Sequence, residues 1–268
     1  MDIFNLTWDQ RKLIAISHDK KVREEYPEDI KHCIEHTYIH SDIEDFTNVQ
    51  KRFPKTEIKM RPIGTEVAVD KMERNNDKIA VLNFSDYKFP GGKFLDGSKA
   101  QEECLCHNSI LFPVLDDFTY KFYAPNVRSL NGGMYTNKML YSEDVLFFCP
   151  GGDRKVDVIT CAAPNFINGK RYGTISKEEC DRVMNSRLEF IFKAALHHHV
   201  DVLILGAYGC GVFKNDPTWV AQCIRRYAEF YDGCFKKIIL PIPDKGSVNY
   251  YRFKEVFENC PLIDSYPI

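Results

Sequence analysis

Short apolar runs without polar alternation recur along the chain after residue 78. They lie at residues 79–84, 156–161, 202–207 and 238–242, and each is rich in Val, Ile or Leu. A continuous apolar run of this length is typical of a strand buried on both faces of a sheet. A shorter apolar run at residues 145–148 predicts a further strand at the edge of the same sheet.

Stretches with helical periodicity separate these predicted strands. They cover residues 100–115, 177–199, 217–231 and 250–258. Strands that alternate with helices predict an α/β sandwich with a largely parallel sheet. Ligands of such sheets bind beyond the carboxyl ends of the strands, so the residues that follow each apolar run are the first candidates for a functional site.

The first 75 residues have a more charged pattern than the rest. Residues 11–26 and 29–40 are predicted helices. We therefore expect a helical extension over residues 1–75 that packs on a core domain over residues 76–268.

Three histidines in this extension are spaced four residues apart: His32, His36 and His40. On one helix they would share a face, and histidines spaced in this way can bind zinc. The intervening residues, 33–35 and 37–39, do not match the glutamate-base motif of zinc enzymes, and a half-exposed helix face explains the same spacing. We expect no bound metal.

Composition and charge narrow the classes of function. The chain has 268 residues, 44% of them apolar, and a formal net charge of −2. This balance argues against direct DNA binding through a broad basic face. No apolar run reaches the roughly 18 residues of a membrane span, so we expect no membrane association. The N-terminus has no signal pattern and predicts an intracellular protein, in the cytoplasm, the nucleus or both if the source is a eukaryote. The ten cysteines include no C-x-x-C pair, and for this compartment we expect free thiols rather than a disulfide framework.

The first chemical motif follows the first predicted strand. It is Pro90-Gly91-Gly92-Lys93-Phe94-Leu95-Asp96-Gly97-Ser98-Lys99-Ala100-Gln101-Glu102-Glu103. Glycines at a strand end let backbone N–H groups approach a ligand closely. The two glutamates at the start of the next helix can provide a protonation site. The alternative is a solvated first helical turn, where the helix dipole favours acids.

The second motif follows the strand at 202–207. It is Gly206-Ala207-Tyr208-Gly209-Cys210-Gly211-Val212-Phe213-Lys214-Asn215-Asp216-Pro217, in which Asp216 is suited to cap a helix that begins at Pro217. Free N–H groups in such a loop bind phosphate oxygens. A plain tight turn is the alternative, because glycine-rich loops often occur without a ligand.

Both motifs resemble those of the microbial-type poly(ADP-ribose) glycohydrolases. The first resembles the Gly-Gly-Gly and Gln-Glu-Glu signature of that family, except that Lys93 occupies the third glycine. The second resembles the family's diphosphate-binding loop. The likeness covers roughly Ile79 to Asp244, and the N-terminal helices match more loosely. It implies a macrodomain-like, three-layer α/β/α sandwich with a mixed, largely parallel sheet.

The resemblance also implies an activity and its residues. The expected reaction is hydrolysis of the ribose–ribose bonds of poly(ADP-ribose), mainly from the chain end, with release of ADP-ribose and without a cofactor. Glu103 would be the general acid and base, and Glu102 would hold ribose hydroxyls and orient Glu103. The implied substrate-binding residues are Asn83, Gly91, Gly92, Lys93, Gln101, Asn165, Gly209, Cys210, Gly211, Val212 and Phe213. Tyr208 and Phe213 are the aromatic residues nearest to the ligand loops, and one aromatic side chain should stack on adenine.

The sequence is also compatible with two other functions. The chain can be a non-catalytic reader of terminal ADP-ribose, although a reader would not need two adjacent glutamates. It can also hydrolyse a different ADP-ribosyl linkage, such as a mono-ADP-ribose adduct, if Lys93 changes the substrate. The expected partners are poly(ADP-ribose) or ADP-ribosylated proteins, with ADP-ribose as the product ligand, and the expected state is a monomer.

Overall fold

A computed structural model of the chain describes residues 3–41, 49–167, 175–243 and 246–259. The strands are β1 Thr37–Ser41, β2 Glu57–Arg61, β3 Ile79–Phe84, β4 Lys138–Phe147, β5 Arg154–Cys161, β6 Val202–Ile204 and β7 Lys237–Pro241. The α-helices with assigned bounds are α1 Trp8–Glu25, α2 Pro27–Glu35, α3 Thr65–Asp70, α4 Gln101–His107, α5 Leu111–Asp117, α6 Ala124–Arg128, α7 Lys177–His197, α8 Pro217–Phe230 and α9 Val248–Asn259. Residues 42–48 of the predicted extension, and residue 244 at the end of the motif-bearing range, lie outside the described residues.

The seven strands form one mixed sheet in the order β1-β4-β5-β3-β6-β7-β2. The pairs from β5 to β2 are parallel, whereas β1 and β4 run antiparallel to their neighbours. The four long apolar runs become β3, β5, β6 and β7 with ends shifted by no more than three residues. The run at 145–148 was expected at the sheet edge, but most of it belongs to β4, which lies inside the sheet beside β1.

Helices cover both faces of this sheet, which explains why the strands lack polar alternation. Leu82 and Leu203 share one hydrophobic core with Ile191 of α7. The alternate residue Val81 belongs to the opposite core, which includes Leu105 of α4. The predicted three-layer sandwich is therefore confirmed.

The predicted helix over residues 29–40 is wrong in its second half. Helix α2 ends at Glu35, and the next residues form β1, which pairs antiparallel with β4. This segment is rich in residues that favour strands, and the free edge of β4 provides its partner. The three histidines consequently do not share a helix face, because His32 lies on α2 and His40 on β1.

The predicted helix over residues 100–115 is interrupted after His107. The Ile110 N–H donates to Leu146 O at 3.1 Å, and Phe148 N–H donates to Asn108 O at 2.8 Å. These contacts with the end of β4 take the place of helical hydrogen bonds. Pro113 near the start of α5 is also incompatible with an unbroken helix through this point.

Residues before position 76 contribute to the sheet as well as to the helical layers. They supply β1 and β2, which are the two edge strands. The predicted N-terminal segment therefore contains strands and is not only helical.

Candidate active site

Three loops leave the same edge of the sheet. β3 lies between β5 and β6, and all three strands are parallel. Phe84, the last residue of β3, pairs in register with Cys161 at the end of β5. The glycine-rich loop after β3, the segment 162–165 and the loop 206–216 therefore start side by side, at the edge where parallel sheets bind ligands.

Glu102 and Glu103 lie in the first turn of α4 and are buried. Their exposed fractions are 3% and 5%. A solvated first helical turn, the alternative interpretation of the pair, is therefore wrong. Burial raises the pKa of Glu102 well above its ordinary value and also raises the pKa of Glu103. The pair can thus retain a proton at a pH where exposed glutamates are ionised.

Gln101 fixes this first turn against β3. Its side-chain Oε1 accepts a hydrogen bond from the Phe84 N–H at 2.8 Å, and its Nε2 donates to Leu82 O at 2.8 Å. Both ends of the amide therefore bind strand backbone. Gln101 was predicted to bind substrate, and these contacts instead describe a positioning residue for the two glutamates that follow it.

Glu102 is held by two donors. Asn83 Nδ2 donates to its Oε1 at 3.1 Å, and the Asp86 N–H donates to its Oε2 at 2.6 Å. The opposite atom of the Asn83 amide, Oδ1, is buried and has no donor in the described part of the chain. Buried polar atoms in proteins are rarely left without a partner, so this oxygen is suited to accept a ligand hydroxyl.

The two carboxylate oxygens of Glu103 are in different environments. Oε1 accepts a hydrogen bond from the Lys93 N–H at 2.9 Å. Oε2 is buried and has no partner among the described residues. Since Oε1 already accepts a proton, the proton of the neutral acid belongs on Oε2. Glu103 can therefore present a buried, unpaired O–H group.

The glycines before Lys93 make room for this acid. Gly91 and Gly92 have φ angles of 65° and 62°, in the left-handed region. A Cβ on Gly92 would lie 2.7 Å from Glu103 Oε1 and 3.0 Å from Glu102 Oε2. Lys93 is exposed and is not among the described residues with positive φ. A third glycine is therefore not required by the backbone, and the N–H of Lys93 is the group that contacts the acid.

Helix α1 braces the same loop from outside. Arg11 Nε donates to Gly97 O at 2.7 Å, and the Arg11 side chain is buried. Gly97 has a φ of 90°, and a Cβ there would lie 2.5 Å from the backbone oxygen of Trp8. The contact joins positions 86 residues apart, so the sequence pattern contained no signal for it.

The hydrogen bond from Arg11 to Gly97 leads to a prediction about stability. Replacing Arg11 by Ala removes a buried hydrogen bond from a charged donor and should lower the free energy of unfolding by about 1.5–3 kcal/mol. Arg23→Ala on the same helix is the matched control. Arg23 pairs with Asp19 and Asp116 near the surface, so its loss should cost about 1 kcal/mol or less. Equal losses for the two variants in denaturant unfolding would remove the special role of Arg11.

The loop after β6 presents unpaired backbone donors. The N–H groups of Gly211, Val212 and Phe213 donate to no protein acceptor in the described ranges. Asp216 caps α8 by accepting from the Thr218 N–H at 2.9 Å. Successive free N–H groups before a helix N-terminus are suited to bind an anion such as a diphosphate.

Asn215 holds this loop against the segment after β5. Its Nδ2 donates to Pro164 O at 2.8 Å and to Gly209 O at 3.0 Å. Sequence reasoning used Asn215 only as part of the motif and did not identify this role. Cys210 in the same loop is buried, and burial raises the pKa of its thiol far above the ordinary value. The thiol therefore stays protonated and is unsuited to act as a nucleophile.

Aromatic side chains form one wall beside these loops. Tyr87 stacks on Tyr135 with ring centroids 3.8 Å apart, and Tyr135 lies 6.3 Å from Phe213. Phe213 is half-buried, whereas Tyr208 is fully buried against Phe84 and has no free face for a base. Sequence reasoning missed Tyr87.

Asn165 lies at the far end of the segment after β5. Its N–H donates to Gly133 O at 2.7 Å, and the residue is 8% exposed. This bond connects the segment with the loop that contains Tyr135. The structure thus brings Asn165 next to the aromatic wall, on the same side as the diphosphate loop.

Two kinds of feature are absent from residues 3–41, 49–167, 175–243 and 246–259. No three side chains of His, Cys, Asp or Glu are grouped there so that they could hold a metal ion. No helix within these ranges has the length and apolar character of a membrane span.

Solved structures of similar shape come from two bacteria. The poly(ADP-ribose) glycohydrolase of Thermomonospora curvata matches with a TM-score of 0.80 and 26% identity, over 93% of this chain and 100% of that chain. The same protein bound to the inhibitor ADP-HPD matches with a TM-score of 0.79 and 26% identity, over 92% and 99%. The poly(ADP-ribose) glycohydrolase of Deinococcus radiodurans in complex with ADP-ribose matches with a TM-score of 0.75 and 27% identity, over 85% and 97%.

Comparison with family models gives the same assignment. No curated protein matches the chain in sequence. The model described as "Microbial-type PARG, catalytic domain" matches residues 12–149, just over half of the chain, and this range includes most of the N-terminal segment. With this match, the predicted family is confirmed. The chain belongs to the microbial-type poly(ADP-ribose) glycohydrolase (PARG) family.

Proposed function

We propose that this chain hydrolyses the ribose–ribose O-glycosidic bonds of poly(ADP-ribose), mainly from the chain end, and releases ADP-ribose. The observation that carries the proposal is the state of Glu103. Its Oε1 is fixed by the Lys93 N–H, while its buried Oε2 has no partner in the described residues. A buried carboxylic acid with a raised pKa is the group that glycosidases use to protonate a leaving oxygen.

The first step transfers the proton of Glu103 to the glycosidic 2′-oxygen. The bond between that oxygen and the anomeric carbon then breaks, and its electron pair stays on the oxygen. The terminal ribose becomes an oxocarbenium-like species. The Lys93 N–H stabilises the negative charge that Glu103 acquires, because a backbone donor at 2.9 Å already points at Oε1.

The second step returns the proton. The Glu103 carboxylate takes a proton from a water molecule, whose oxygen forms the new bond to the anomeric carbon. Glu102 stays fixed between Asn83 and Asp86 and offers its remaining lone pairs to ribose hydroxyls. This arrangement keeps the sugar oriented while Glu103 changes its protonation state.

The rest of the site binds the terminal ADP-ribose. The free N–H groups of Gly211, Val212 and Phe213 are suited to the diphosphate. The Phe213 ring, half-buried at the aromatic wall, packs on the terminal ribose and favours cleavage at the chain end. The poly(ADP-ribose) glycohydrolase of Deinococcus radiodurans, which has ADP-ribose bound, supports this choice of ligand.

We also propose that residues 1–75 form an N-terminal extension that packs on a catalytic domain formed by residues 76–268. The Arg11 brace on the loop at Gly97 gives the extension a role in shaping the site. We also propose an intracellular location, where the free thiols of the nine described cysteines remain reduced.

Two substrates test the proposed reaction. The purified protein is incubated with one protein that carries poly(ADP-ribose) and with another that carries a single ADP-ribose. The proposal predicts free ADP-ribose from the polymer and an intact mono-ADP-ribosyl protein. Release from the mono-modified protein alone would favour another linkage. Binding without release from either protein would favour a reader.

The pH dependence of turnover follows from the burial of Glu103. The acid must start protonated, and burial raises its pKa above the ordinary value of 4.5. The rate should therefore fall as the pH rises through this raised pKa, with the alkaline limb of kcat/KM above pH 4.5. A pH–rate profile whose alkaline limb lies at the ordinary glutamate pKa would contradict the assigned acid.

A further inference from the structure

Arg187 is a cation enclosed in the protein. It lies on α7 and is 1% exposed. Its guanidinium donates to Asn137 Oδ1 at 2.9 Å, to Ala162 O at 2.7 Å and to Met134 O at 2.9 Å. All three acceptors are neutral, and no carboxylate pairs with Arg187 in the described part of the chain.

A buried charge without a counter-charge is costly. Carbonyl oxygens satisfy the hydrogen bonds of a guanidinium but do not neutralise it. A neutral side chain could join the same loops at a lower desolvation cost. The positive charge itself therefore requires an explanation.

Arg187 binds the segment that packs against the candidate diphosphate loop. Its acceptor Ala162 precedes Ala163, and a Cβ on Gly209 would lie 2.7 Å from the Ala163 Cβ. The same Cβ on Gly209 would lie 3.2 Å from the Cε atom of Met184, which is one helical turn before Arg187. The Arg187 charge also acts on Tyr208 beside Gly209, because it opposes the strong rise that burial causes in the pKa of that hydroxyl.

We propose that Arg187 is a positioning residue whose buried charge attracts the ligand diphosphate through the loop at Gly209, without touching the ligand. Charges separated by protein rather than by water are weakly screened. The diphosphate would thus supply the negative charge that Arg187 otherwise lacks. The proposal rests on the proposed function, because it takes ADP-ribose as the ligand.

The test compares a charged ligand with an uncharged one. Arg187→Gln removes the charge, Arg187→Lys keeps it, and Asn137→Ala removes one acceptor without changing the charge. Dissociation constants are measured by calorimetry for ADP-ribose and by competition for adenosine, which lacks phosphate. Thermal unfolding of each variant checks that it is folded.

We expect Arg187→Gln to weaken ADP-ribose binding about tenfold, the size of effect that one weakly screened charge exerts, and to change adenosine binding much less. Arg187→Lys and Asn137→Ala should stay within about threefold of the unmodified protein for both ligands. If Arg187→Gln does not fold, Arg187→Lys and Asn137→Ala still test the role of the charge. If Arg187→Lys weakened the binding of ADP-ribose and of adenosine by the same factor, the proposal would be overturned. Arg187 would then only stabilise the fold by joining its three acceptors.

The same measurements distinguish an error about Arg187 from an error about the proposed function. If the unmodified protein does not bind ADP-ribose, the proposed function fails first. If the unmodified protein binds ADP-ribose and Arg187→Gln binds it equally well, only the role of Arg187 is wrong.

Discussion

Replacing Glu103 by Gln should lower the turnover of poly(ADP-ribose) by about 1,000-fold or more, since general acid–base catalysis contributes factors of 10² to 10⁴ and Glu103 acts in both steps. ADP-ribose affinity should stay within about threefold of the unmodified protein. The glutamine oxygen can still accept from the Lys93 N–H, and its amide takes the place of the protonated Oε2. Steady-state kinetics and calorimetry on the same preparation measure the two quantities.

Stability provides a check on this variant. The folded-state pKa of Glu103 is raised above the ordinary 4.5. Its contribution to stability is therefore fully present below pH 4.5 and is lost as the pH rises through the raised value. Glutamine does not ionise, so the Glu103→Gln protein should be at least as stable as the unmodified protein at neutral pH.

A glutamate away from the site serves as the matched control. Glu143 lies on β4 and pairs with Lys78, which precedes β3 at the end opposite to the loops that carry the candidate site. Glu143→Gln should therefore leave turnover within about twofold, since substitutions away from the site have small effects. Undiminished turnover in Glu103→Gln would contradict the assignment of the acid, whatever the control does.

Gly92→Ala is expected to have the second largest effect on turnover. The new Cβ would lie 2.7 Å from Glu103 Oε1, and the backbone at Gly92 has a φ of 62°. The acid must then move or the loop must change its path, and a displacement of about 1 Å at a reacting group can cost about 100-fold in rate. Kinetics on poly(ADP-ribose), together with thermal unfolding, measures the effect.

Gly151→Ala separates this effect from a general response to a lost glycine. Gly151 is exposed, its φ is not positive, and its Cβ would approach only the ends of two side chains, Asp70 Oδ1 at 3.0 Å and Arg74 Nη2 at 3.3 Å. Turnover should change by less than about twofold in this variant. If Gly92→Ala behaved in the same way, the close approach of Gly92 to the glutamate pair would have no role in catalysis.

Much of the fold could be predicted because its strands are local features of the sequence. The run at 79–84 matches β3 without any shift, because an apolar segment covered on both faces needs no polar alternation. The glutamate pair and the loop at 206–217 could also be located, since parallel strands place the residues that follow them at one edge.

The errors arose where pairing with distant residues decides the structure. Thr37–Ser41 continues a helical pattern in the sequence but pairs with β4, about 100 residues further along the chain. The break after His107 likewise depends on contacts with Leu146 and Phe148. Periodicity within a short window does not contain this information.

The chemical details of the site could not be predicted from the sequence for a related reason. The sequence shows two glutamates in a first helical turn but not that both are buried, nor that Lys93 fixes one oxygen of Glu103 and leaves the other unpaired. Arg187 lies in an ordinary amphipathic helix pattern, and only its three distant acceptors distinguish it from a surface arginine. Such roles depend on the three-dimensional neighbours of a residue rather than on its type.

Hydrolysis of poly(ADP-ribose) from the chain end can be followed directly in the chain-length distribution of free polymer during incubation with the unmodified protein. We expect ADP-ribose to be the main product from the earliest time points while the polymer shortens gradually from its end. An unchanged length distribution, under conditions in which calorimetry shows that the same protein binds ADP-ribose, would rule out polymer hydrolysis and leave a reader or a hydrolase of another ADP-ribosyl linkage.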